Sequence, residues 1–179
     1  LHHPLSKKEA DFWNTVYQKG LGEFFYKNKL NLNIAPRFPY KNKETTKNEL
    51  QATRYKIQYT RCLLGIGGGK DSIVATELLK EQKFDITAFF IETQKESNFV
   101  NKIIETAGIK YIKARRILDE KIFQEHKYNG HVPVSAIYAF LGILNAVLYK
   151  YSYCIMANEY SSNFGNTKYK GEIINHQWS

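Results

Sequence analysis

The sequence predicts an α/β domain built on a parallel sheet, and three observations carry the prediction. After position 55, short apolar strands alternate with helical segments, most of ten residues or more. A triple glycine, Gly67-Gly68-Gly69, ends the first strand of that series and opens its first helix. The 43% hydrophobic and 15% aromatic content over 179 residues suits one core, with room for a small appendage. Strand-helix-strand units of this kind join parallel neighbours through right-handed crossovers.

Residues 1–30 read as helical, because Trp13, Val16, Tyr17, Leu21, Phe24 and Phe25 recur mostly at three- and four-residue spacing. Between Asn31 and Asn48 the chain turns polar, and Pro36 and Pro39 break any helix. Residues 1–54 are therefore expected to form a helical and irregular lead-in, and residues 55–179 a nucleotide-binding domain. In that domain the first strand spans Tyr59–Ile66, and a helix follows over Asp71–Gln82 with Ile73, Val74, Leu78 and Leu79 as its apolar face. A second strand is predicted at Ile86–Ile91, a helix at Asn98–Ala107 and a third strand at Lys110–Ala114. A short helix over Asp119–Glu125 precedes a long one from Val134 to Lys150, then a fourth strand at Tyr153–Ala157. The tail Thr167–Asn175, with Lys170-Gly171 at its middle, reads as a hairpin.

Composition narrows the function classes. Val132–Tyr149 carries no charge and reaches the lower edge of membrane-spanning length. Pro133, Ser135, Gly142 and Asn145 interrupt it, and strands flank it, so it reads as a helix buried inside a soluble domain. His2, His3, Lys7 and Lys8 precede no apolar signal-peptide core. Cys62 and Cys154 are the only cysteines, with no C-x-x-C, which argues against a cysteine-held cluster or zinc site. Two thiols in apolar runs suit a reducing, cytoplasmic compartment. The chain starts at Leu1 and stops after a dense polar cluster, so a domain truncated at its C-terminus is expected. The net charge of +9 suits a polyanionic ligand such as nucleotide phosphates, a nucleotide-sugar or nucleic acid. It is equally the mark of an Asn- and Lys-rich bias, visible in Lys41-Asn42-Lys43-Glu44.

Open parallel sheets bind ligands beyond the carboxyl ends of their strands. That rule selects the glycine turn, Glu92-Thr93 and Asn158-Glu159. At the turn, Gly67–Gly69 let backbone approach a ligand that a side chain would obstruct. The N-terminus of the following helix offers free N–H groups and a favourable dipole to phosphate. Lys70 adds a point charge, Ser72 a hydroxyl, and Asp71 a carboxylate suited to hold Mg²⁺ against phosphates. Neither G-x-x-x-x-G-K-[ST] nor G-x-G-x-x-G is present.

Gly67-Gly-Gly-Lys-Asp-Ser72 resembles the S-G-G-x-D-S loop of the PP-loop ATP pyrophosphatases, with Gly67 in place of the first serine. That resemblance implies a Rossmann-like, adenine nucleotide alpha hydrolase-like parallel sheet, and cleavage of ATP between its α and β phosphates. Gly67 removes one hydroxyl contact to pyrophosphate. Three further stretches are Asn129–Ile137, Ala157–Ser162 with Gly165-Asn166, and Asn175–Ser179. Together with Gly20–Tyr26 in the lead-in, they resemble the ATP-dependent UDP-N-acetylmuramoyl-L-alanyl-L-glutamate epimerases. The family implies an isomerase of peptidoglycan precursor synthesis that uses ATP and Mg²⁺ and acts on a nucleotide-sugar dipeptide. Adenylation of the terminal glutamate removes the carboxylate charge, so that its α-proton can leave and return from the opposite face.

The resemblance places Gly67, Gly68, Gly69, Lys70, Asp71, Ser72, Gly130 and Asn158 on the nucleotide, and Asp71 and Glu159 on the metal. Glu159, His131 and His176 are the candidates for the acid/base work. Other readings stay open beside these: Glu159 as a metal or substrate ligand or a surface carboxylate, His131 as a helix-capping or packing residue, and His176 as solvent-facing. Lys168 and Lys170 read as solvated charges at the hairpin turn, and Arg115-Arg116 as an exposed pair after a strand. Two alternative functions also remain open. One is a PP-loop enzyme acting on tRNA, which the charge favours and the uncharged Val132–Tyr149 helix does not. The other is an ATP-binding module without turnover. The sequence leaves the oligomeric state open, and nucleic acid is not the expected partner.

Overall fold

The computed structural model describes residues 4–41, 60–93, 98–124, 128, 130–165, 167–169 and 171–175. The chain divides into two compact units. One comprises Leu1–Arg54, Glu125–Ile137 and Tyr160–Ser179; the other comprises Tyr55–Gln124 and Tyr138–Glu159.

In the first unit, α1 (Lys7–Gly20) begins with a capping box. The Ser6 hydroxyl accepts from the Glu9 N–H, and the Glu9 carboxylate accepts from the Ser6 N–H at 2.7 Å. Such a cap satisfies two end donors that would otherwise lack partners, a contribution of about 1 kcal/mol. The spacing seen in the sequence works as a stripe here: Ala10 and Val16 are buried, while Trp13 and Tyr17 meet the ring of Phe38. Next comes α2 (Gly22–Lys27), with Phe25 buried. The tail forms the expected hairpin, β5 (Thr167–Tyr169) antiparallel to β6 (Glu172–Asn175). The Tyr169 ring packs against that of Tyr26 of α2, with centroids 4.7 Å apart and the planes tilted by 55°.

The second unit is a four-stranded, all-parallel sheet in the order β3-β2-β1-β4. The strands are β1 (Arg61–Gly65), β2 (Asp85–Glu92), β3 (Lys110–Arg115) and β4 (Tyr153–Met156). The connecting helices are α3 (Lys70–Glu81), α4 (Asn98–Ala107), the short α5 (Lys121–Gln124) and α6 (Val134–Leu148), which belongs to this unit from Tyr138 on. Every strand and helix expected after position 55 is present, displaced by a few residues at most.

Period-two alternation sends opposite residues of each strand to opposite faces. Cys62, Leu64, Ile86, Ala88 and Phe90 pack with Val100 and Ile104 of α4 and with Ala75 and Leu79 of α3. Leu63 and Phe89 point the other way, onto Leu141 and Ala146 of α6. Strands covered on both faces read as continuous apolar runs, which is why the sequence disclosed them.

Two expectations about helix faces need correction. Ile73, Val74 and Leu78 of α3 are exposed; the helix instead buries Ser72 and Thr76, with Ala75 and Leu79 partly covered. Small side chains let the helix lie close to the sheet, and apolarity alone does not report that. Likewise α6 is not buried all round: Gly142 and Ala146 are covered, whereas Val147 is 70% exposed. A helix on one face of a sheet buries one stripe only. Among the described residues, no helix is long and apolar enough to cross a membrane.

Candidate functional site

The strand order reverses beside β1, with β2 and β3 on one side and β4 on the other. The carboxyl ends of β1 and β4 therefore flank the switch point, where open α/β sheets form a crevice. The glycine turn leaves β1 there, and Asn158-Glu159 leave β4.

The turn is shaped by its neighbours. Gly68 adopts φ +87°, in the left-handed region that favours glycine. A Cβ placed on it would meet the Phe99 ring at 3.2 Å and Val100 at 3.4 Å, so the first turn of α4 buttresses the loop. At Gly67 and Gly69 a Cβ would meet nothing within 4 Å, leaving open space beside the backbone. Gly69 is the N-cap of α3 with extended geometry, and no side chain caps that end. The helix's first N–H groups are thus left for an anion. The Ser72 hydroxyl turns back to donate to the Gly69 carbonyl at 2.9 Å, and Thr76 donates to the Ser72 carbonyl at 2.7 Å.

Lys70 joins the two halves of the site. Its Nζ lies 2.7 Å from Asp71 Oδ1 and 3.1 Å from Glu159 Oε2, bridging two carboxylates 88 positions apart in the sequence. Those partners raise the lysine's pKa above its usual value, chiefly through the hydrogen bond to Asp71 and then that to Glu159. Asp71 and Glu159 consequently aim oxygens at one position already held by a cation. Two carboxylates converging beside a glycine turn at a helix N-terminus are a donor set that Mg²⁺ takes together with phosphate oxygens. The residues present fit that ion. Among the described residues, no cluster of three or more His, Cys, Asp and Glu side chains forms a self-sufficient metal cage.

The third end selected by the fold is differently occupied. Glu92, largely buried at the end of β2, is taken by Lys113 at 2.9 Å and Arg115 at 3.9 Å. Arg116 places its guanidinium 5.7 Å from the Tyr138 ring centroid, and its Nε is buried without a hydrogen-bond partner. Asn158 is exposed, and its N–H donates to the Met156 carbonyl.

Gly130 and His131 belong to the first unit. Gly130, at φ +151°, lies so close to α2 that a Cβ would come within 2.7 Å of the Phe24 Cα. Backbone packing thus requires a glycine there independently of any ligand. His131 Nδ1 is 2.7 Å from Glu23 Oε2, and Glu23, largely buried, also pairs with Lys27 one turn along α2. Lys168, paired in register with Ile173, is exposed. His176 and Lys170 lie outside the described residues.

Sequence reasoning singled out Asp71 and Glu159 but not the lysine bridge between them, nor Glu23 as the partner of His131, nor Phe99 as the buttress of Gly68. For Phe99 the signal was present: an aromatic opening the helix that follows β2, on the side where the fold gathers loops.

A parallel sheet whose order reverses at β1, with a glycine turn and a carboxylate meeting over that point, defines an open α/β domain with its candidate site at the switch point. The chain belongs to the MurL N-terminal domain family, which it matches over residues 1–179. It is 34% identical over 181 residues to a protein of a Micromonospora species named UDP-N-acetyl-alpha-D-muramoyl-L-alanyl-L-glutamate epimerase. Proteins of the same name from Salinispora tropica and Xanthomonas oryzae pv. oryzae are 33% and 30% identical. These matches cover 98–99% of this chain and 38% of each relative, so the chain spans well under half their length. Among solved structures it is similar to the NMN synthetase of Francisella tularensis, with TM-score 0.41 and 16% identity over 60% of this chain and 49% of that one. It is also similar to the NH3-dependent NAD synthetase of Campylobacter jejuni, with TM-score 0.40 and 23% identity over 59% and 50%.

Proposed function

We propose that this chain is the ATP-binding part of an epimerase that inverts the terminal L-glutamate of UDP-N-acetylmuramoyl-L-alanyl-L-glutamate through carboxylate adenylation. The observation that carries the reading is the meeting of the glycine turn, Lys70, Asp71 and Glu159 at the switch point. The names of the relatives supply the substrate.

In this reading the N–H groups of Gly67–Gly69 and of the start of α3 hold the leaving pyrophosphate, and Lys70 neutralises it. Asp71 and Glu159 would hold Mg²⁺, which would supply neutralisation of phosphate charge. Ser72, buried under the turn, fixes its shape through Gly69. Gly130 and Asn158 complete the nucleotide contacts. Proton removal and return fall to Glu159, His131 and His176. The Glu23 carboxylate, 2.7 Å from the His131 ring, supports that histidine's share by holding the ring in place. The domain division that goes with the reading is a lead-in over 1–54 and a nucleotide-binding domain over 55–179, in a cytoplasmic enzyme.

The test is pyrophosphate release from Mg·ATP with and without UDP-N-acetylmuramoyl-L-alanyl-L-glutamate, on this chain and on the full-length Micromonospora relative. ATP binding by this chain, lost in Asp71→Ala, together with dipeptide-dependent release by the relative, is the expected result. Release that ignores the dipeptide, or that needs tRNA, rejects the epimerase reading.

A further inference from the structure

The carboxylate pair meant for the metal already holds a cation. Lys70 Nζ sits 2.7 Å from Asp71 and 3.1 Å from Glu159, at the point where their oxygens converge. A divalent ion held by the same oxygens would claim the space of the ammonium. Two cations cannot occupy that one position, so lysine and metal exclude one another.

We infer that Lys70 is a displaceable counter-ion that keeps the metal site closed until a polyphosphate arrives. The inference rests on the nucleotide reading above and extends it to the order of assembly. Two features make displacement feasible. The Lys70 side chain is 75% exposed on a flexible four-carbon stem, and the backbone at Gly67 and Gly69 is bordered by open space. A polyphosphate bound at the turn offers the ammonium a stronger anionic partner than either carboxylate, and the vacated oxygens become available to the metal. Metal and polyphosphate then strengthen each other's binding reciprocally, as linkage requires. Without polyphosphate, a free divalent ion must compete with a tethered ammonium. The device guards the two carboxylates against stray metal and ties metal entry to the presence of the nucleotide.

Lys70→Met removes the internal cation and leaves both carboxylates. Mn²⁺ binding, read from the electron paramagnetic resonance signal of the free ion, is measured without nucleotide for wild type, Lys70→Met, Lys70→Gln and Lys70→Arg. The neutral variants should bind Mn²⁺ about tenfold more tightly than wild type, the scale expected for losing two exposed competing ion pairs. Lys70→Arg, which keeps the charge, should stay near wild type, and adding Asp71→Asn to Lys70→Met should abolish the gain. Circular dichroism of each variant verifies folding, and Lys70→Gln serves if Lys70→Met does not fold. Neutral variants that bind Mn²⁺ within twofold of wild type overturn the inference. A parallel titration with ATP separates the two proposals. If ATP recruits no Mn²⁺ to wild type, the nucleotide reading fails, while the nucleotide-free comparison still decides the counter-ion role of Lys70.

Discussion

Placing a methyl group at each of the three glycines of the turn should give two different outcomes. At Gly68, alanine must adopt φ +87°, and its Cβ lies 3.2 Å from the Phe99 ring and 3.4 Å from Val100. The left-handed backbone costs roughly 1–2 kcal/mol, and moving the ring by a few tenths of an ångström adds a smaller amount because Phe99 is 63% exposed. Gly68→Ala should therefore destabilise the protein by about 2 kcal/mol. Gly67→Ala and Gly69→Ala meet nothing within 4 Å, so their stability should stay within about 0.5 kcal/mol of wild type or rise slightly as the unfolded chain loses freedom. On the proposed nucleotide reading, their methyl groups occupy space that a phosphate would take, so these two variants should lose ATP affinity without losing stability. Urea unfolding followed by far-UV circular dichroism measures the first quantity, and ATP titration calorimetry the second. Phe99→Ala supplies an internal control. In its background, Gly68→Ala should cost less by the steric share, a coupling of about 0.5 kcal/mol in a double-mutant cycle. A Gly68→Ala variant no less stable than Gly67→Ala would refute the claim that α4 buttresses the turn.

Two further predictions concern the sheet. Burial first, and the Asp85 carboxylate second, push the Cys62 thiol up from 9.0 to about 11. The unfolded chain thus loses this proton first, so the contribution is intact below pH 9 and lost as pH rises towards 11. The slope should reach about 1.4 kcal/mol per pH unit in that window, measured as the difference between wild type and Cys62→Ala in urea unfolding, which cancels tyrosine ionisation. A Cys62→Ala protein with the same alkaline slope would contradict it. Leu63, fully buried between β1 and α6, should cost about 3–4 kcal/mol as Leu63→Ala, and a loss under 1 kcal/mol would show that α6 does not cover that face.

The elements were legible where one physical signal sufficed. The apolar runs at 62–64 and 88–91 marked central parallel strands, and the helix expected at Asn98–Ala107 spans those same residues. Gly67–Ser72 was legible as a glycine turn opening a helix because a left-handed backbone and a helix N-terminus are local properties. Hydrophobic periodicity failed for α3, whose buried stripe runs through Ser72 and Thr76 while Val74 and Leu78 face outward. Periodicity counts apolarity, whereas contact distance selects size.

By itself, then, the sequence determined the order of strands and helices, the parallel class of the sheet and the glycine turn that joins β1 to α3. All of these follow from interactions within a few residues. The tertiary structure alone decided the strand order β3-β2-β1-β4, the packing of Tyr169 on Tyr26, the pairing of His131 with Glu23, and the bridge from Lys70 to Glu159. The partners in each pair lie 89 to 143 positions apart, and a charged side chain's partner is fixed by where the chain returns, which no local pattern encodes.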